Sequence, residues 1–144
     1  MNKAQDLKSK VSLTISNNST LGKPSQTIRS EDSGGTTVNN ITVTIEQGST
    51  VKTTGNDRAI YINSATGFTL HNYGNVEAAR AVSISMGSGT TGAIINNYSS
   101  GKLFAPQNGI INSGSASNNN TINNYGEIYS SNTSSGHNAI SFVD

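Results

Sequence analysis

Residues 69–76 read TLHNYGNV and residues 121–128 read TINNYGEI. In both, polar and apolar residues alternate, then come Asn, Tyr and Gly, and an apolar residue closes the segment. Residues 44–51, TIEQGSTV, align with 69–76 without gaps at a spacing of 25. Residues 94–103, IINNYSSGKL, fit the same frame with two extra residues before Leu103, and residues 14–21, TISNNSTL, give an earlier copy. Read this way, each copy carries an inward apolar residue (Ile15, Ile45, Leu70, Ile95, Ile122). An amide follows two places on (Asn17, Gln47, Asn72, Asn97, Asn124), and a second apolar residue closes the copy (Leu21, Val51, Val76, Leu103, Ile128).

A second short strand follows most copies: AIYI at 59–62, AVSI at 81–84, GIIN at 109–112 and AISF at 139–142. In this frame Asn112 stands where the other strands place Ile62, Ile84 and Phe142. Gly/Ser/Asn/Thr stretches such as SMGSGTTG and NSGSASNNN separate the strands and read as turns. The period is 25–30 residues. Helical repeats of that length would show a 3.6-residue pattern, and leucine-rich repeats would need more than the five leucines present.

Composition supports a repeat. Asn, Ser, Thr and Gly supply 73 of 144 residues, while only 12% are charged and two are Pro. Disorder usually combines low hydrophobicity with high net charge and abundant Pro, whereas here the apolar residues cluster into alternating runs. The expected fold is all-β, a right-handed parallel β-helix (β-solenoid) of about five coils spanning 11–144, in which equivalent side chains stack from coil to coil. Five coils rise about 20–25 Å. Inward positions would form the column Ile15–Ile45–Leu70–Ile95–Ile122, and the corner amides a hydrogen-bonded ladder. Residues 1–10 would be an N-terminal arm or a capping helical turn. The chain stops at AISFVD inside a core strand, which points to a fragment or to an edge covered by another protein.

The segment INNYGEIYSSNTSSGHNAISF carries the pattern I/L-x-N-x-G-x-I/V followed by A-I-x-F/I. It resembles the parallel β-helix repeats of autotransporter passenger domains and the β-helical fibres, spikes and decoration proteins of tailed bacteriophages. The resemblance implies a surface structural protein or an adhesin module. Autotransporters carry a signal peptide and a membrane β-barrel, neither of which is evident, so the virion surface is the expected location and the bacterial surface or secretion the alternative.

Chemistry-bearing residues are sparse. Net charge is +1 with scattered basic residues, which gives no electrostatic footprint for nucleic acid. No apolar run approaches the roughly 18 residues a membrane helix needs. Absence of Cys excludes disulfides and thiolate metal sites. The histidines are His71 and His137, and the gap-free frame puts Glu46 beside His71 as an exposed pair; Lys52 and Glu77 should also stack. Glu31–Asp32 is the single adjacent carboxylate pair and sits in a loop. Residues 87–92, GSGTTG, match G-x-G-x-x-G but lead into a strand, whereas a dinucleotide site requires a helix. The sequons at Asn40 and Asn132 are expected from composition.

Tyr73, Tyr98 and Tyr125 share one repeat position and point outward, which makes an aromatic strip; Phe104 and Tyr129 fall at the position of Lys52 and Glu77 and widen it. This strip is the candidate contact surface, either as local stacking or as a contact for a subunit or a sugar ring. The expectation is a non-catalytic structural protein without cofactor or metal, which contacts other virion proteins or its own copies (a trimer by analogy). The alternative is a module that binds a bacterial surface glycan or a receptor, and a carbohydrate-active enzyme using Glu46 or Asp32 is the remaining rival.

Overall fold

The computed structural model describes residues 5–6, 12–16, 18–30, 38–79, 82–113, 118–132, 134 and 138–143. All pairing between its named strands is parallel, and no helix occurs among the described residues. β1 (Gln5–Asp6) precedes the first rung, which contains β2 (Ser12–Ile15), β3 (Thr20–Lys23) and β4 (Ile28–Arg29). The second contains β5 (Val38–Asn39), β6 (Thr42–Ile45), β7 (Thr50–Thr53) and β8 (Ile60–Ile62), and the third β9 (Ala65–Thr66), β10 (Thr69–Asn72), β11 (Asn75–Ala78) and β12 (Val82–Met86). The fourth is β13 (Ile94–Asn97), β14 (Lys102–Ala105) and β15 (Asn108–Ser113); the fifth is β16 (Thr121–Asn124), β17 (Glu127–Ser130) and β18 (Ile140–Val143).

Three faces result. The first stacks β2-β6-β10-β13-β16, the second β3-β7-β11-β14-β17, and the third β1-β4-β8-β12-β15-β18. The strands are a β-solenoid of about four turns; the expected five coils count its stacked rungs rather than completed turns. Of the N-terminal segment, Gln5–Asp6 add a strand beside β4, with Gln5 opposite Ile28.

Alternation along each strand turns one set of side chains inward, and stacking aligns those sets into columns. The second face holds Leu21–Val51–Val76–Leu103–Ile128 in register, as expected. Val51, Val76 and Leu103 in this column are fully buried. Full burial of such a side chain stabilises by about 1.5–3 kcal/mol, so repetition builds a core from few apolar residues. Where the chain turns from the third face back to the first, Asn40 (φ 55°), Gly67 (φ 70°), Gly92 (φ 63°) and Asn119 (φ 55°) each follow a bridged residue, so left-handed backbone recurs at one corner. Asn and Gly are the residues that enter this region at least cost.

The first face corrects the sequence frame. Leu70 lies opposite Val43 and Asn72 opposite Ile45, so the aliphatic column is Leu13–Val43–Leu70–Ile95–Ile122. Ile15 and Ile45 belong instead to the column that continues as Asn72–Asn97–Asn124. Gln47 is exposed in the corner after β6 and takes no part in the ladder, and Asn17 lies outside the described residues. On the third face Met86, not Ile84, pairs with Ile62 and Asn112, while Ile84 pairs with Ile60. Both misreadings are slips of two residues. Side chains alternate with period two, so a two-residue slip keeps every inward residue inward and leaves no trace in the pattern. The corner sets the true register: four residues join the first and second faces in rungs one, two and four, and two residues do so in rungs three and five.

Three amides therefore form the ladder. Asn72 Nδ2 donates to Asn97 Oδ1, and Asn97 Nδ2 to Asn124 Oδ1, both at 2.8 Å. The second protons of Asn72 and Asn97 reach backbone carbonyls one rung on, Lys102 O at 3.4 Å and Glu127 O at 3.2 Å. Asn72 Oδ1 is buried without a partner, because the residue below it is Ile45. Glycine lets the amides approach the backbone: a Cβ on Gly101 would sit 2.3 Å from Asn97 Oδ1, and one on Gly126 2.3 Å from the carbonyl oxygens of Tyr98 and Gly101.

Asn97→Leu should lower unfolding stability by about 1–3 kcal/mol, since it strands the Asn72 amide and removes the donor to Asn124. Ile45→Asn should cost about 1 kcal/mol less than Ile95→Asn in chemical denaturation, because it supplies a donor to Asn72 Oδ1. Equal costs for the two asparagine variants would contradict the ladder as drawn.

Candidate functional site

The corner between the first and second faces follows the amide ladder directly. Tyr73, Tyr98 and Tyr125 each come one residue after a ladder asparagine, and their backbone N–H groups bond to the rung below: Tyr73 to Ile45 O, Tyr98 to Asn72 O and Tyr125 to Asn97 O, at 2.8–2.9 Å. The three tyrosines thus occupy one column. The Tyr73 and Tyr98 rings are parallel within 1° with centroids 4.1 Å apart. Their facing surfaces are covered by each other. Tyr125 continues the column and is 71% exposed.

His71 joins this group from the outer side of β10. Its ring lies 6.0 Å from that of Tyr98, nearly parallel, and its Nδ1 is 3.0 Å from the Tyr98 hydroxyl. In register, His71 stands opposite Thr44 and Asn96. Glu46, expected beside it, is exposed in the corner after β6; the same two-residue slip separates them. Asn96 accepts a hydrogen bond from Asn123 Nδ2 at 2.9 Å, an outward amide pair the sequence reading did not single out.

On the second face, Lys52, Glu77, Phe104 and Tyr129 align as expected. The Phe104 and Tyr129 rings are 4.8 Å apart and tilted by 40°. Lys102 and Glu127, two residues before them, form an exposed ion pair at 3.2 Å, an arrangement worth about 0–1 kcal/mol in water. Residues 87–92 form the corner between β12 and β13 and lead into a strand, not a helix. Glu31, Asp32 and His137 lie outside the described residues. Among the described residues, no three His, Asp or Glu side chains gather as a metal-binding group.

The corner between the second and third faces holds a feature missed in the sequence. Two neighbouring hollows lie across rungs two to four. One, of about 300 Å3, is lined by Lys52, Thr53, Thr54, Glu77, Ala78, Ala79 and Phe104. The other, of about 220 Å3, is bounded by Asn56, Asp57, Arg58, Val82 and Gln107. Arg58 pairs with Asp57 at 3.5 Å and stands over the Tyr61 ring, 4.9 Å from its centroid. The signal for this recess was the unequal corner length. From the residue paired with Thr53 to the one paired with Ile60, six residues intervene in rung two, five in rung three and four in rung four.

Stacked parallel rungs with an amide ladder and an aromatic corner define a β-solenoid. Beyond that class, the chain matches no protein-family model, no curated protein and no solved structure.

The hydrogen bond that the neutral Tyr98 hydroxyl donates to Tyr73, then desolvation and the nearby Tyr73 and Tyr125 phenols, hold the Tyr98 hydroxyl above the ordinary tyrosine value of 10.0. A phenol raised in the folded state contributes stability that is complete below the unfolded value and is lost as pH rises through the folded one. Phenolate absorbance should therefore show a late-titrating tyrosine that disappears in Tyr98→Phe, and unfolding stability should fall above pH 10.0 less steeply in that variant.

Proposed function

We propose that the chain is a non-catalytic structural protein of a bacteriophage virion surface, a capsid decoration or a fibre or spike component that works through subunit contacts. The observation that carries this reading is the mutual engagement of its most distinctive outward side chains. Tyr73 lies on Tyr98, Tyr98 meets His71, Asn96 pairs with Asn123, and Lys102 with Glu127. Such cross-rung pairs stiffen a stack. The repeat's resemblance to phage fibres and decoration proteins supports the location, and a homo-oligomer, trimeric by analogy, follows from it. Tyr125 and Tyr129, 71% and 45% exposed in the same rung, are the contact residues of this reading, since aromatic side chains dominate interface energetics.

Mass spectrometry of purified tailed-phage particles from a host carrying the gene should find the chain in many copies per particle; its absence from particles contradicts the proposal. In light scattering, the purified chain should form a discrete oligomer. The double variant Tyr125→Ala with Tyr129→Ala should weaken it by about 2 kcal/mol or more without lowering the melting temperature.

A second reading, a glycan- or receptor-binding adhesin module at a bacterial surface, is favoured by the open ring of Tyr125. A glycan array on which binding is abolished by Tyr98→Ala and Tyr125→Ala would support it over the structural reading.

A further inference from the structure

We propose that the recess between the second and third faces is a binding site for a neutral oligosaccharide, a property beyond the structural role. Three observations carry it. First, the recess is part of the framework: the corner shortens from rung two to rung four, leaving a step against the longer loop of Asp57 and Arg58. The larger hollow, about 300 Å3, lies at the lower end of the range that ligand sites occupy, about 300–1,000 Å3.

Second, its lining combines the groups that recognise a sugar. Phe104 lines the larger hollow together with the small residues Ala78 and Ala79, a setting in which the C–H face of a pyranose can pack on an aromatic ring. The Gln107 amide and the Asp57 carboxylate border the smaller one, and Glu77 and Lys52 the larger; together they offer donors and acceptors for paired hydroxyls.

Third, the charge is balanced. Arg58 is matched by Asp57 at 3.5 Å, and Lys52 stands in register with Glu77. A polyanion would meet two carboxylates without excess positive charge, whereas an uncharged glycan meets only hydrogen-bonding partners. In the tyrosine strip, Tyr73 and Tyr98 cover each other's faces at 4.1 Å, which leaves Tyr125 as the most exposed ring there.

The test is titration calorimetry and amide-shift mapping of the intact chain against short malto-, cello-, chito- and manno-oligosaccharides, with polygalacturonate as the charged comparison. Saturable binding of at least one neutral sugar is expected, with shifts centred on residues 52–58, 77–79 and 104–107. Phe104→Ala should weaken it about tenfold, and Gln107→Ala and Asp57→Asn several-fold, while Tyr125→Ala leaves it unchanged. Should Phe104→Ala melt early, Gln107→Ala and Asp57→Asn decide. The proposal is overturned if no neutral sugar binds at millimolar concentration, if only polygalacturonate binds, or if Tyr125→Ala removes binding while the recess variants keep it. Detection of the chain in virions is independent of these outcomes, so a failure here leaves the structural reading standing.

Discussion

Register between rungs is the constraint on which the rest of this structure depends. A parallel solenoid has no long-range scaffold except the requirement that each strand sit over its predecessor, and alternating side chains tolerate slips of two residues. The corner between the first and second faces removes that freedom. Asn97 is held by Asn72 below and Asn124 above, and a displaced rung would put a buried amide against an aliphatic side chain. An unpaired buried polar group costs about 1–3 kcal/mol, a penalty large enough to select one alignment.

The outer surface follows from the same corner. Once the ladder aligns the asparagines, the next residue in each rung must also align, so Tyr73 and Tyr98 stack face to face without any further device. The close approach at Gly101 and Gly126 excludes a Cβ at both positions. Amide, tyrosine and glycine are therefore one unit, in which the inward hydrogen bonds, the outward stack and the tight backbone require each other. The recess on the opposite side of the second face has a different origin: it reflects how many residues each rung uses to reach the third face, and the ladder does not control it.

The sequence carried much of this, to different depths. Parallel stacking, the aliphatic column through Val51, Val76 and Leu103, the ladder of Asn72, Asn97 and Asn124, and the tyrosine column were all legible, because each rests on a residue type recurring at one position. The place of Ile45 beneath Asn72 was not. Its rung carries two more corner residues than the next, and the gap-free match of TIEQGSTV to TLHNYGNV hid them. The same error paired Glu46 with His71 and moved Gln47 into a ladder it does not join. Met86 was displaced by Ile84 because AVSI at 81–84 repeats the pattern of AIYI at 59–62 two residues early. The hollows near Arg58 and Phe104 were invisible because they arise from differences among copies, while a repeat search reads what the copies share.

The ladder stops at Ile45, and this divides the molecule into two mechanically unlike parts. Below it, rungs meet through parallel backbone pairing and aliphatic contact, and the column holds Ile15 and Ile45 in place of amides. Above it, three amide dipoles point the same way, and each bond polarises the next. That half resembles a zipper with a shared clasp: releasing one tooth weakens those on either side. The boundary between Ile45 and Asn72 is thus where partial opening of the stack would halt.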